Sequence, residues 1–381
     1  MRVKIKELGD IITGNTPSKK NLEFWDSNDI CFVKPDIIAD GCITAIEKSN
    51  EYISETARSK ARVVKKDTIF VTCIGSIGKI GIAEEGEYAF NQQINAVVPN
   101  SKINARYLAY AILYSKPQLA AIANSAVVPI INKSQFGDFE INITEDIKKQ
   151  EEIVNILDRT NGIIESRQQE LQKLDELIKA RFVEMFGNPV SNSYGLPEAT
   201  LPELGEFGRG VSKHRPRNDP KLLGGEYPLI QTGDVAAANL YITSYNSTYS
   251  ELGLKQSKMW SKGTLCITIA ANIAKTSILD FDACFPDSVV GFTANERTNN
   301  VFIHYWFSFF QAILESQAPE SAQKNINLKI LSELKVIVPE KAKQDEFSDF
   351  VKQVEKSKFA VQEALDKAQL LFDSLMQEYF G

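Results

Sequence analysis

Two stretches of the chain carry apolar residues at seven-residue spacing. In the first, Leu157, Ile164, Leu171, Ile178 and Met185 form one series, and Ile153, Ile156, Ile163, Leu174 and Leu177 widen the stripe. In the second, Val351, Leu365, Phe372 and Tyr379 share a series broken by Lys358, with Val354, Val361, Ala368 and Leu375 as its companion. That period predicts two amphipathic coiled-coil helices. At 1.5 Å per residue, about forty residues reach roughly 60 Å, too long to fold inside a compact domain. Pro339 precedes the second stretch and no Gly or Pro interrupts it before Gly381, whereas Asn161 and Gly162 interrupt the first. A mid-helix Gly costs about 1 kcal/mol relative to Ala, so a local weakness or bend is expected there rather than an end. Arg167 and Arg181 fall on the first helix's second seam, either fixing register or lining a solvated or partner-facing edge.

Elsewhere the pattern is short. Between Met1 and about Thr144, β-like runs at Ile30 to Val33, Thr68 to Ile74, Ile80 to Ala83 and Ile94 to Val98 are followed by a helical stretch from Ala105 to Ala123. Leu265 to Ala270, Thr276 to Leu279, Ser288 to Thr293 and a helix around Val301 to Leu314 repeat that order. Sliding the chain on itself by about 195 positions makes the correspondence explicit. Leu8-Gly9-Asp10 falls on Leu204-Gly205-Glu206, Thr68 to Thr72 on Thr264 to Thr268, Lys79 on Lys275, Phe90 on Phe285 and Ile131-Asn132 on Ile326-Asn327. Lys149-Gln150 meets Lys343-Gln344, and Phe186-Gly187 meets Phe380-Gly381, at an offset of 194. Ordered landmarks at one offset mark an internal repeat.

The expected organisation is a globular domain over 1–144, a helix over 145–187, a second domain over 188–339 and a second helix over 340–381. The fold class is mixed α/β domains plus long antiparallel coiled-coil helices, a tandem repeat with pseudo-two-fold symmetry. Helix one arrives at the second domain through a short turn and helix two runs back, so the domains are expected at opposite ends, with Gly381 close to Met1.

Composition changes the picture little. The 381 residues, 43% hydrophobic and 24% charged, suffice for two cores. The N-terminus lacks an apolar signal region and no apolar run reaches the roughly 18 residues of a membrane span, so a cytoplasmic protein with no membrane partner is expected. Five scattered cysteines without a C-x-x-C pair, and two histidines, read as core thiols rather than metal ligands or disulfides. The net charge of -6 argues against nucleic acid, whose phosphates need Lys and Arg. It resides in the helices, however: Glu145 to Glu184 holds ten acidic residues against seven basic, and Glu340 to Glu378 nine against six. The remainder is neutral and leaves room for a local basic surface.

Four features carry candidate chemistry in each half, and DNA is the ligand that suits them. The polar loop Thr13 to Lys20 offers Thr16, Lys19 and Lys20; its counterpart offers Arg209, Lys213, Arg215 and Arg217, with His214 and Lys221, against Asp219 alone. Arg matches phosphate and guanine, while a solvated charged loop is the bland alternative. Gly75-Ser76-Ile77-Gly78-Lys79 is no Walker A, because Cys73 stands at the first Gly position and Ile80 follows the lysine. Ala271-Asn272-Ile273-Ala274-Lys275 keeps the lysine, so a tight turn presenting one cation to a phosphate fits both, with Ser76 and Asn272 beside it. Asn91, Gln92 and Gln93, with Asn95, supply amides of the kind that pair with adenine N6 and N7, against Pro286, Asp287 and Ser288 in the second half. A polar edge strand is the alternative. Last, Asn132 and Lys133 face Gln323, Lys324, Asn325 and Asn327 in amide-rich loops suited to DNA contact or to capping the β run that follows. Lys34 joins the DNA-contacting candidates.

No [DN]-P-P-[YFW] methyltransferase motif occurs, since Val190 follows Asn188-Pro189. A nuclease pattern forced from Pro286-Asp287 and Glu333-Leu334-Lys335 has a long gap and no equivalent in the first half. The chain therefore reads as non-catalytic, with a coiled-coil scaffold that binds only proteins as the rival to a DNA reader.

The whole pattern resembles the specificity (S) subunit of type I restriction-modification systems over essentially the entire chain. The resemblance rests on Leu8-Gly9 and Leu204-Gly205 before polar loops, Thr16-Pro17, Lys34-Pro35-Asp36, Asp67 to Lys79, Phe90-Asn91-Gln92-Gln93 and the helix starts at Gln150 and Gln344. It rests too on the helix ends Met185-Phe186-Gly187-Asn188-Pro189 and Tyr379-Phe380-Gly381. Phe285 to Phe292 resembles a different recognition subclass, and Asn161-Gly162 departs from the helix pattern. The resemblance implies two target recognition domains that each bind half of an interrupted, asymmetric double-stranded DNA target, with the helices setting the gap. It further implies docking of two methyltransferase (M) subunits, joined by motor-nuclease (R) subunits. Adenine-N6 methylation with S-adenosylmethionine, and the ATP and Mg chemistry of restriction, would belong to those partners, with no cofactor or metal on this chain.

Overall fold

A computed structural model describes residues 1–123, 128–270, 273–317 and 326–381, with backbone alone at 315–317. The candidates Asn272, Lys324 and Asn325, with Ala271 and Gln323, lie outside the described residues. The chain forms two compact units: Met1–Gln168 with Gln362–Gly381, and Gln169–Val361.

In the first unit a five-stranded sheet runs, in spatial order, Gly9–Thr13, Ile94–Pro99, Ile69–Thr72, Ile80–Ala83 and Ile43–Ile46. Its last pair is parallel and the others antiparallel. A four-stranded sheet runs Glu51–Ile53, Ile30–Val33, Glu87–Phe90 and Val63–Lys65, with a parallel middle pair. Arg2–Lys4 pairs with Glu140–Asn142. The second unit repeats this topology strand for strand. Its five-stranded sheet is Gly205–Arg209, Val289–Ala294, Leu265–Thr268, Thr276–Leu279 and Tyr241–Ile242, and its four-stranded sheet is Ser247–Tyr249, Leu223–Leu229, Ala283–Cys284 and Met259–Trp260. Glu198–Thr200 pairs with Lys335–Ile337, and the parallel pairs occupy the same places. The central strands are apolar on both faces, as strands covered on both sides must be.

One helix differs from expectation. The run from Ala105 splits into Ala105–Tyr114 and Lys116–Ala121, because Pro117 cannot donate into a continuous helix and is tolerated only in a first turn. The first long helix, Ile147–Phe186, passes without a break through Asn161 and Gly162, where Asn161 Nδ2 donates to Glu165 Oε1 one turn on (2.7 Å). The second long helix is Lys341–Phe380.

Both long helices contribute to both units. In the first, Ile153, Leu157 and Ile164 from one helix and Phe372, Met376 and Phe380 from the other share a core with Tyr107 and Tyr110. Asn142 Nδ2 donates to the carbonyls of Phe380 (3.1 Å) and Gly381 (3.2 Å), one residue from the Ile143 carbonyl that accepts from the Met1 amino group (2.6 Å). In the second unit, Phe182 and Phe186 pack on Phe302 and Phe347 at ring separations of 5.1 to 5.7 Å. The contacts Asp175 to Lys358 (2.8 Å) and Arg181 to Glu346 (3.0 Å) run in opposite chain directions, so the helices are antiparallel there.

Buried glutamines explain why the helix starts look alike in sequence. Gln150 donates to the Thr144 carbonyl (2.7 Å) and accepts from the Asn104 amide (2.8 Å). Gln344 donates to Pro339 (2.9 Å) and Arg297 (3.0 Å) carbonyls and accepts from Thr298 Oγ1 (2.9 Å). Each gives both its amide nitrogen and its oxygen a partner while tying a long helix to the start of the helix beside it, as a buried polar group requires. The seams are not identical. Lys358, which interrupts the heptads, is buried and clamped by Asp175 and Glu355, both at 2.8 Å. Burial pushes its pKa down, but the hydrogen bonds it donates to the two carboxylates outweigh that and hold it above the usual lysine value. The position 194 residues earlier holds Ile164, an ordinary core residue.

Candidate functional site

The four candidate features of each unit converge on one end of the five-stranded sheet, the fourth of the second unit through Ile326 N to Ile269 O (3.0 Å). Thr13 pairs with Asn95 and Val71 with Asn95 across the last rungs, so the loop after Thr13, the turn after Thr72 and the turn before Ile94 lie together. Backbone bonds lock them: Gly14 N to Ile94 O (3.1 Å), Asn15 N to Phe90 O (2.9 Å) and Cys73 N to Gln93 O (2.8 Å). The loop from Pro129 joins through Gly75 N to Pro129 O (2.9 Å) and Ile131 N to Cys73 O (2.9 Å). The second unit makes the corresponding bonds from Gly210 N to Val289 O (2.9 Å), Val211 N to Phe285 O (3.1 Å) and Ile269 N to Ser288 O (3.0 Å). These pairings make Gln92 the counterpart of Asp287 and Gln93 that of Ser288. Glycine is required where the loop leaves the strand. A Cβ on Gly14 would stand 2.2 Å from the Asn91 carbonyl oxygen, and one on Gly210 2.3 Å from that of Phe285.

The cation turn is also one structure in two sequences. Thr72 Oγ1 accepts from Lys79 N (3.0 Å) and Thr268 Oγ1 from Lys275 N (3.1 Å), while Gly78 (φ 77°) and Ala274 (φ 56°) occupy the same left-handed position. Ser76 is exposed, and Lys79 Nζ reaches the Pro35 carbonyl (3.5 Å). Lys275 opens onto a recess of about 340 Å³ lined also by Asp175, Lys179, His304 and Lys358. In that recess His304 Nδ1 meets Thr276 Oγ1 (3.0 Å), and burial holds the imidazole down to about 4.

The loop side chains divide the units. In the first, Thr16 Oγ1 donates to Gln92 Oε1 (2.8 Å), and Gln92 is exposed. Lys34 (2.5 Å) and Lys19 (3.1 Å) both bind Glu51, and Lys19 also lies over the Trp25 ring (5.0 Å). The hydrogen bond from Lys34 holds the Glu51 carboxyl below its usual range, and the same bond raises Lys34. Lys20 is exposed. In the second unit, Arg217 (2.5 Å) and Arg215 (3.7 Å) approach Asp287, and His214 pairs with Asp219 (3.1 Å). Gln256 Oε1 accepts from the amides of Lys213 (2.7 Å) and His214 (3.0 Å), fixing the loop backbone so that Lys213, Arg215 and Arg217 point outward, each exposed, with Arg209 exposed at the strand end. Ser288 is half-buried.

Several candidate amides make hydrogen bonds within the fold. Asn91 is buried, donating to Gln93 Oε1 (2.8 Å) and accepting from Gln93 N (3.1 Å), and Asn95 accepts from Thr13 Oγ1 (2.6 Å). The strand they flank is central, not an edge. Asn132 caps the short helix Lys133–Asp138 in a reciprocal box with Gln135, and Asn327 caps Leu328–Glu333. Both caps thus serve a helix ahead of the β run. Lys133 is exposed beside them. Sequence reasoning missed Glu51, Trp25 and Gln256. Among the described residues, no group of three His, Cys, Asp or Glu could hold a metal ion, and no helix is long and apolar enough to cross a membrane.

Comparison with known proteins agrees with this architecture. The family model for the type I restriction modification DNA specificity domain matches residues 1–176 and 198–369. The type I restriction enzyme MjaIX specificity subunit of Methanocaldococcus jannaschii is 27% identical over 190 residues, 49% of this chain and 42% of that protein. The HindI specificity subunit of Haemophilus influenzae is 29% identical over 180 residues, 45% of this chain and 38% of that one. The alignments thus span less than half the length of these relatives. The crystal structure of a type I restriction-modification S subunit from M. genitalium superposes with a TM-score of 0.59 at 16% identity, covering 100% of this chain and 96% of that one, and so shares the fold. With both halves matched by one model and both units built on one topology, the chain belongs to the family of type I restriction-modification DNA specificity domains.

Proposed function

We propose that this chain is the DNA-reading specificity subunit of a type I restriction-modification complex, each unit recognising one half of a bipartite, asymmetric duplex target. One observation carries the reading. Two equivalent backbone arrangements present different side chains at the same sheet end, exposed neutral Thr16 and Gln92 in one and exposed Arg215 and Arg217 beside half-buried Asp287 in the other. A protein under no demand to distinguish two ligands has no use for that difference. Exposed Lys20, Lys133, Lys213 and Arg209 supply phosphate contacts around each reading surface, with Lys79 and Lys275 on the adjacent turns.

The long helices then set the gap between half-sites and dock two methyltransferase subunits, through which motor-nuclease subunits join. Exposed apolar residues on the helices, Ile163, Phe359 and Leu370 among them, suit a partner surface. The chain itself supplies no catalysis; methyl transfer with S-adenosylmethionine and ATP- and Mg-dependent steps fall to the partners. Selection from a randomised duplex pool by the full chain with its methyltransferase partner tests this. A two-part motif with a fixed gap is expected, and no enrichment would return the chain to a protein-binding scaffold.

A further inference from the structure

The turn position held by Gln92 in one unit and Asp287 in the other is fixed by equivalent backbone bonds, from Gly14 N and Gly210 N and from Cys73 N and Ile269 N. In each unit the recognition loop returns side chains to it, and in the second Arg215 approaches as well, at 3.7 Å. Thr16 donates to Gln92 Oε1 (2.8 Å), and Arg217 Nη2 donates to Asp287 Oδ1 (2.5 Å). Neither bond exhausts its reader. Gln92 keeps a lone pair on Oε1 and both amide hydrogens, the one-acceptor, one-donor edge that matches adenine N6 and N7. Arg217 spends one donor on Asp287 and keeps the rest of its planar fork, which matches guanine O6 and N7. The partner in each case removes rotamer freedom before DNA arrives, so less entropy is lost on contact.

Building on the DNA-reading function above, we propose that this turn and the loop side chain bonded to it together read one base pair in each half-site. Adenine is read by Gln92 braced by Thr16, and guanine by Arg217 braced by Asp287. Thr16 and Asp287 are positioning residues. The asymmetry of the target thus begins at one structurally equivalent position.

The test is selection from a randomised duplex pool by the full chain with its methyltransferase partner, run in parallel for the parent and single variants. The parent motif should contain an adenine position in one half-site and a guanine position in the other. Gln92→Ala should relax the first alone and Arg217→Ala the second alone, each by roughly 5- to 100-fold in discrimination. Thr16→Val and Asp287→Asn should blunt the same positions about three- to tenfold without changing the preferred base, as loss of one bracing hydrogen bond does. A uniform fall across all positions would mark a merely structural role and overturn the proposal, as would unaltered positions or a relaxed position of another base. A parent that enriches no motif overturns the DNA-reading function, and the proposal with it; a parent motif that survives both Ala variants overturns the proposal alone.

Discussion

The recognition ends of the two units share a backbone and little else. Each hangs a polar loop from the same sheet end by paired amide-to-carbonyl bonds, with a glycine where the loop crosses the neighbouring chain. On that frame the first unit sets neutral Thr16 and Gln92 and ties Lys19 and Lys34 to Glu51, whereas the second sets Arg215 and Arg217 on Asp287. Backbone bonds are indifferent to side-chain identity, so the frame can stay fixed while the reading surface changes. The helix seams make the converse point. There the side chains are the structure, and the exchange of Ile164 for Lys358 had to be matched by Asp175 and Glu355.

If the frame is common, breaking it should cost the same in both units. Gly14→Val and Gly210→Val each drive a side chain into backbone carbonyls and should lose at least about 3 kcal/mol in denaturant unfolding. A cost below about 1 kcal/mol at either position would show that the loops are not held alike. The seams should fail for different reasons. Ile164→Ala should lose about 3 kcal/mol by leaving a cavity, while Lys358→Ile should lose roughly 1–3 kcal/mol, because Asp175 and Glu355 are left without the cation they share. A neutral Lys358→Ile would mean the ion pairs contribute nothing to the second seam.

Acid should separate the units next. His304 is neutral in the folded chain down to about 4, below the ordinary 6.5, and the position 195 residues earlier is Ala109. A depressed histidine contributes full stability above pH 6.5 and loses it as the unfolded form takes up protons between pH 6.5 and about 4, at most about 3 kcal/mol. Hydrogen exchange should show core amides of the second unit losing protection across that window, and His304→Leu should remove the dependence. Equal loss in both units would assign the effect elsewhere. The smallest effect concerns the first helix. A Cβ on Gly162 meets nothing within 4 Å, so Gly162→Ala should raise stability by about 1 kcal/mol. A loss would reveal a bend that needs glycine.

These contrasts were unequally legible in the sequence. The helices were plain, since their seven-residue spacing is sustained for forty residues and local periodicity records which face is buried. Short strands such as Glu51–Ile53 and Val63–Lys65 were not, because their pairing partners are distant in sequence. The same cause hid Glu51, which reaches Lys34 only because its strand pairs opposite Phe32. The exchange of Gln92 for Asp287 could be read from the repeat. Which amides face outward could not: Asn91 and Asn95 are as polar as Gln92, yet they are buried and their hydrogen bonds are spent within the fold. Polarity records a demand for partners, not where they come from.

The account rests on a shared frame that carries two different readers. Its most direct test is a chain whose residues 188–339 are replaced by a second copy of residues 1–144, taken through duplex selection with the methyltransferase partner. The account predicts a gapped motif in which the first unit's half-site occurs twice and the second unit's half-site disappears. A folded protein that still selects the parent's asymmetric motif would contradict it.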